Sequence, residues 1–196
     1  MWPWSACRLP QKIISGTIAS TQAAFLMICL IFAFDLRGFA QTRPPTEYQI
    51  KAAFLYNFAK FIKWPPQTFA RPESPIVIGV LGENVFGGDL EQTIRDKTFN
   101  DHPFQFKEFH SVDQATNCQI LFISASEQER LPKILSDLHG TSVLTVSEMD
   151  HFIEAGGMIN FVIEEKRIHF QINNEAAEKA GLTISSKLLS LATHPH

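Results

Sequence analysis

Few residues in this chain are placed to do chemistry, and the best-placed three lie near the carboxyl end: Glu164, Arg167 and His169. Arg167 and His169 are two apart, so a strand would put them on one side, with Glu164 close by across a hairpin. An arginine presents a planar fork to a carboxylate or phosphate, and a histidine adds a donor whose charge changes near neutral pH. The trio reads as an anion-binding face. The plainer reading is a solvated sheet surface carrying an ion pair worth about 0–1 kcal/mol.

The remaining candidates lack partners. The seven histidines, His102, His110, His139, His151, His169, His194 and His196, show no paired metal-ligand spacing beyond the last two, which sit on a tail. There is no H-E-x-x-H, no G-x-S-x-G and no P-loop, and no full dinucleotide fingerprint follows Gly79-Val80-Leu81-Gly82. No metal, no cofactor and no catalysis are expected. Cys118 has Ile120, Leu121 and Phe122 beside it, a setting for a buried thiol.

The elements that must position these residues are legible. Met158 to Glu164 and Arg167 to Asn173 form a candidate hairpin about Glu165-Lys166. Pairing Ile163 with Ile168 makes Phe161 meet Phe170 and Ile159 meet Ile172, with every apolar pair on one face. Asn160, Val162, Glu164, Arg167, His169 and Gln171 collect on the other face. Glu-Lys is not a favoured two-residue turn, so a slightly longer loop is expected. Asn173-Asn174 then cap a helix containing Glu175 to Ala180, and Ser185 to Leu191 places its leucines against the body.

Upstream, the apolar runs Ile76 to Leu81, Ile120 to Ile123 and Val143 to Val146 suit strands buried on both faces of a largely parallel sheet. Amphipathic stretches alternate with them, Leu90 to Lys97 and Glu127 to Leu138, and Phe104 to Phe109 adds a shorter strand. The expected fold class is α/β: a single domain with a mostly parallel central sheet flanked by helices, plus a C-terminal β-hairpin and helix. Ahead of it, Glu47 to Lys63 reads as a helix stopped by Pro65-Pro66. It is rich in aromatics, with Phe54, Phe58, Phe61 and then Trp64, and its apolar residues cover more than one face. Such a helix is either wedged between the core and loops or turns its second face to a partner.

The first forty residues read as a secretory signal peptide: Arg8 and Lys12, an apolar run densest from Ala23 to Phe34, then Gly38-Phe39-Ala40 before a cut at Gln41. Residues 41–46 form a linker, 47–192 the domain and 193–196 a tail. Removing Arg8, Lys12, Arg37 and Asp35 with the leader takes the formal net charge from −3 to −5. No Lys/Arg cluster remains, which argues against nucleic acid. Of three cysteines only Cys118 survives the cut, so no internal disulfide can form.

These segments resemble the YfiR family of bacterial periplasmic regulators. The resemblance rests on Lys51-Ala52-Ala53-Phe54-Leu55-Tyr56-Asn57-Phe58-Ala59-Lys60-Phe61 with Trp64-Pro65, and on Ile78-Gly79-Val80-Leu81-Gly82. It continues through Cys118 to Ser124, Leu144-Thr145-Val146, Gly156-Gly157-Met158-Ile159, Arg167 to Asn173, Ala176-Ala177 and Ser185 to Leu189. It runs from about Tyr48 to Ala192. It implies an exported regulator, often dimeric, that binds the periplasmic domain of an inner-membrane diguanylate cyclase and holds it inactive, lowering cyclic di-GMP and restraining biofilm. Some family members serve other systems, so a histidine kinase is an alternative partner. Redox sensing through disulfides, also implied, meets only one mature cysteine here. The expected partner surface is Phe54, Phe58, Phe61 and Trp64. A rival expectation is a small-ligand sensor with a pocket between Gly82-Glu83-Asn84 and Ser124 to Ser126, where open α/β sheets bind ligands.

Overall fold

The continuous apolar runs pair side by side because each must be covered on both faces. The computed structural model describes residues 44–193; the expected signal peptide, the first half of the linker, His194 and His196 lie outside these residues. In chain order the elements are α1 (Glu47–Phe61), β1 (Ile62–Lys63), β2 (Ile76–Leu81), α2 (Asp89–Ile94), β3 (Thr98–Phe99), β4 (His102–Phe109), α3 (Val112–Ala115) and β5 (Ile120–Ile123). There follow α4 (Leu131–Asp137), β6 (Leu144–Ser147), β7 (Ile159–Glu164), β8 (Arg167–Ile172), α5 (Asn174–Lys179), β9 (Thr183–Ile184) and α6 (Ser186–Leu189).

The main sheet has seven strands in the order β3-β4-β2-β5-β6-β7-β8. Its five central strands, β4 to β7, are parallel, and β3 and β8 pair antiparallel at the two edges. This is a mixed α/β domain with a mostly parallel sheet. Alternate residues of each strand feed two separate cores. Ile76, Ile78, Val80, Ile120, Phe122, Leu144 and Val146 meet α1, α2 and the C-terminal helices on one face. Val77, Leu81, Leu121, Ile123 and Val143 meet α3, α4 and the turns around Met149 and Phe152 on the other. Burial on both sides explains why period-two alternation is missing from these strands.

α1 begins at a capping box: Thr46 accepts from Gln49 N at 3.2 Å, and Thr46 N donates to Gln49 Oε1 at 3.0 Å. It stops at Phe61, two residues before the expected end. Ile62 and Lys63 turn extended to pair with Ile184 and Thr183. The Glu127–Leu138 stretch is likewise divided, into a 3-10 turn over Ala125–Arg130 and then α4, which starts with Pro132 in its first turn.

The β7–β8 pairing sets Ile159 opposite Ile172, Phe161 opposite Phe170, Ile163 opposite Ile168 and Glu164 opposite Arg167. The connection is shorter than the loop expected from the sequence. Glu165 and Lys166 alone make it, with φ of +49° and +63°. Two left-handed residues in succession match the twist of the strands, and the ladder holds them there although neither side chain favours that conformation.

Candidate functional site

α1 crosses one face of the sheet with Ala52, Leu55, Phe58 and Ala59 fully buried beneath it. At 100° per residue these positions define an inward arc, and Ile50, Ala53, Asn57 and Phe61 fall on the opposite side, flanked by Phe54 and Lys60. All six are partly exposed. Between Glu47 and the end of the helix no carboxylate occurs, and on this outward stripe Lys60 is the sole charge. A solvent-facing helix of a globular domain ordinarily carries its charges there.

The four aromatics expected to face a partner divide. Phe58 belongs to the core, its ring 5.9 Å from Phe161 and 5.2 Å from Phe170, so it offers nothing to a partner. Phe54 is half-buried against the same two rings, at 5.9 and 5.5 Å. Phe61 is half-buried with Lys187 Nζ 5.6 Å from its centroid. Trp64 is half-buried and donates its indole N–H to Gln119 O at 3.3 Å. Beyond Phe54 the apolar face of the hairpin continues to Ile163, which is 60% exposed, and Leu191 near the C-terminus is equally exposed. The sequence pattern missed these two: it put Ile163 with the other apolar residues of the hairpin and set Leu191 against the body, whereas both are exposed.

On the other face of the hairpin, Glu164 pairs with Arg167 and Val162 with His169 in the ladder. The side chains do not close into the ion pair expected: among the described residues, none of the ion pairs involves Arg167. Arg167 is exposed, and Glu164 and His169 are partly so. Cys118 is 2% exposed, and burial pushes its thiol up to about 12, leaving it protonated and unreactive at ordinary pH.

The pocket expected between Gly82–Asn84 and Ser124–Ser126 is closed by the chain itself. Glu83 N donates to Ser126 Oγ at 2.9 Å. Gly82, with φ +88°, lies so close that a Cβ there would stand 2.5 Å from Ser126 Oγ. A cavity of about 200 Å³ lies beside this contact, with Leu81, Asp113 and the Glu127–Arg130 ion pair in its wall.

One charged cluster was illegible in the sequence. Lys51 is 2% exposed, yet its ammonium is hydrogen-bonded to Glu47 on the same helix and to Glu148 beyond the end of β6. Tyr48 Oη donates to the other oxygen of Glu148 at 3.2 Å. Burial works against the Lys51 cation, but the bonds and attraction from Glu148 and Glu47 outweigh it, and its pKa lies above the usual lysine value. Burial first, and then Glu148, raise the Tyr48 phenol as well. The Glu47–Lys51 spacing was visible as an i,i+4 pair, whereas Glu148 lies 97 residues further on. Lys51 Nζ, Tyr48 Oη and both oxygens of Glu148 have partners within the cluster, so it serves to clamp the amino end of α1 to the sheet. Among the described residues no group of three or more His, Cys, Asp or Glu side chains could hold a metal ion, and no helix is long and apolar enough to cross a membrane.

No curated protein matches the chain. Among solved structures it is similar to a conserved domain protein from Vibrio cholerae O1 biovar eltor, with a TM-score of 0.54 and 12% identity, over 76% of this chain and 60% of that one. The chain therefore spans less than two thirds of that protein, and at this identity the likeness is one of fold. The YfiR/HmsC-like family profile matches residues 48–193, which include α1, both cores and the hairpin. Over that span, nearly the whole described region, the chain belongs to the YfiR/HmsC-like family.

Proposed function

We propose that this protein is an exported regulator that restrains an inner-membrane signalling protein by binding its periplasmic domain. The carrying observation is the outward stripe of α1, apolar or weakly polar from Ile50 to Phe61 and continued by exposed Ile163. Its residues are all partly exposed, and among the described residues none of the ion pairs involves any of them. The small side chains of Ala53 and Asn57 at its centre allow close approach by a partner element, and Phe54 and Phe61 supply apolar anchors at the rim. The family relationship and the sequence of the first forty residues favour a periplasmic setting and a diguanylate cyclase as the target, so that binding lowers cyclic di-GMP across the membrane. Regulation is non-catalytic in this reading, and the protein needs no cofactor.

The test separates surface from fold. Deleting the gene in its own bacterium should raise cyclic di-GMP, and the wild-type gene should restore it. Ala53→Arg, placed at a partly exposed position, should keep the wild-type melting temperature and fail to restore it. Full restoration by Ala53→Arg, or no change on deletion, would defeat the proposal.

A further inference from the structure

Doubly wound sheets ordinarily place a helix in each crossover between parallel strands. The crossover from β6 to β7, Glu148 to Met158, has only turns. Phe152, fully buried, plugs part of the layer where that helix would lie, and its ring is so close to Gly157 that a Cβ there would meet it at 2.2 Å. The rest of the space stays open as a groove of about 470 Å³ between α4 and α5. That volume lies within the range of small-molecule sites.

The lining states what would fit. Leu138, Val143 and Met158 make a buried apolar floor. Ser136, His139 and Asn173 add hydrogen-bonding groups to the walls. The two opposite charges on the rim, Lys179 and Glu175, are 2.6 Å apart and neutralise one another. The paired rim therefore offers no net charge to attract an ion of either sign, and a neutral molecule needs none. The groove is also tied to the base of the hairpin. Met158 N donates to Thr145 Oγ1 at 3.2 Å, Asn173 N donates to Met158 O at 2.8 Å, and the Asn173 side chain caps α5 through Ala176 N at 3.0 Å. A molecule seated there touches Met158, immediately before β7, and Asn173, immediately after β8.

We infer that this groove binds a small neutral amphipathic molecule, a hydrocarbon ring bearing one or two hydroxyl groups, with the ring on Val143 and Met158 and the hydroxyl toward Ser136 or Asn173. The inference stands apart from the proposed partner surface on α1, and its test does not use the partner. Phenol serves as the probe, titrated into the protein carrying labelled methionine and valine methyl groups. Saturable, single-site shifts centred on Met158 and Val143 are expected. Ala155→Trp and Ser136→Trp, both at exposed positions on the groove's edge, should each weaken phenol binding at least about tenfold, equivalent to about 1.4 kcal/mol. Gln105→Trp on exposed β4 should leave it unchanged. Shifts that fail to saturate, that centre elsewhere, or that persist at full strength in both groove variants would overturn the inference. Should either groove variant fail to fold, the methyl map of the wild-type protein decides alone.

Discussion

Lys51 is the most demanding residue in the molecule, and replacing its partners one at a time should reveal how its charge is held. Its ammonium is almost wholly removed from water, while Glu148 is 17% exposed and Glu47 43% exposed. Glu47→Ala removes the more solvated partner and leaves the Lys51–Glu148 bond and the Tyr48 contact intact, so the cost should be that of a surface pair on a helix, about 0.5–1 kcal/mol. Glu148→Ala removes the better buried partner and leaves a desolvated cation with one exposed carboxylate. It also strips Tyr48 of its acceptor. Breaking buried pairs typically costs about 3–5 kcal/mol, and the remaining Glu47 should hold the loss at or below the bottom of that range, about 2–3 kcal/mol. Lys51→Met keeps most of the buried stem while deleting the charge, and a partly exposed Glu148 can recruit water, so about 1–2 kcal/mol is expected. Combined with Glu148→Ala, the double variant should be more stable than the sum of the singles by about 1–2 kcal/mol. Urea melts at pH 7 measure all four. With a slope of about 2 kcal/mol per molar, Glu148→Ala should lower the midpoint by about 1–1.5 M. Because the Lys51 pKa is raised on folding, its contribution is complete below the unfolded-state value near about 10.4 and is lost only as pH climbs through the higher folded-state value. Equal costs for the two carboxylate variants, or simple additivity in the double variant, would refute this account of the cluster.

Two further expectations come from local features. The Cys118 thiol, raised by burial to about 12 from 9.0, contributes stability that is complete below pH 9 and declines as pH rises toward 12. Between pH 8 and 10.5 the wild-type protein should lose about 2 kcal/mol more than Cys118→Ala, measured by paired urea melts; identical pH dependence would contradict it. The Glu165-Lys166 turn asks two ordinary residues to adopt positive φ. Replacing them by Asn-Gly should stabilise the hairpin by about 0.5–1 kcal/mol and raise Tm by roughly 2–4 °C, and a lower Tm would show that these side chains make contacts worth more than the backbone preference.

The legible parts of the fold are those where one local rule has a single solution. A one-residue slip would turn Ile172, Phe170 and Ile168 away from the face that holds Ile159, Phe161 and Ile163, and only burial on both sides tolerates runs like Ile120 to Ile123. The parts that escaped were decided by residues distant in sequence. Ile62-Lys63 left the helix because Thr183-Ile184 offered strand partners, and Lys51 could be buried because Glu148 met it from beyond β6. The candidate surface was half legible. An excess of aromatics announced that α1 faced two environments, but which of Phe54, Phe58 and Phe61 turned inward depended on the hairpin beneath. The strand-end crevice read as a pocket because nothing local shows that Ser126 reaches back to Glu83.

Cys118 has one more consequence. A single thiol, sealed in the core at the threshold of β5 and among the described residues without a second cysteine, gives the folded protein almost nothing to exchange with an oxidant or a disulfide-forming enzyme. The same thiol becomes fully accessible once the sheet opens. Its rate of modification by an excess of a thiol reagent therefore counts opening events directly, and the molecule has a built-in clock for its own unfolding.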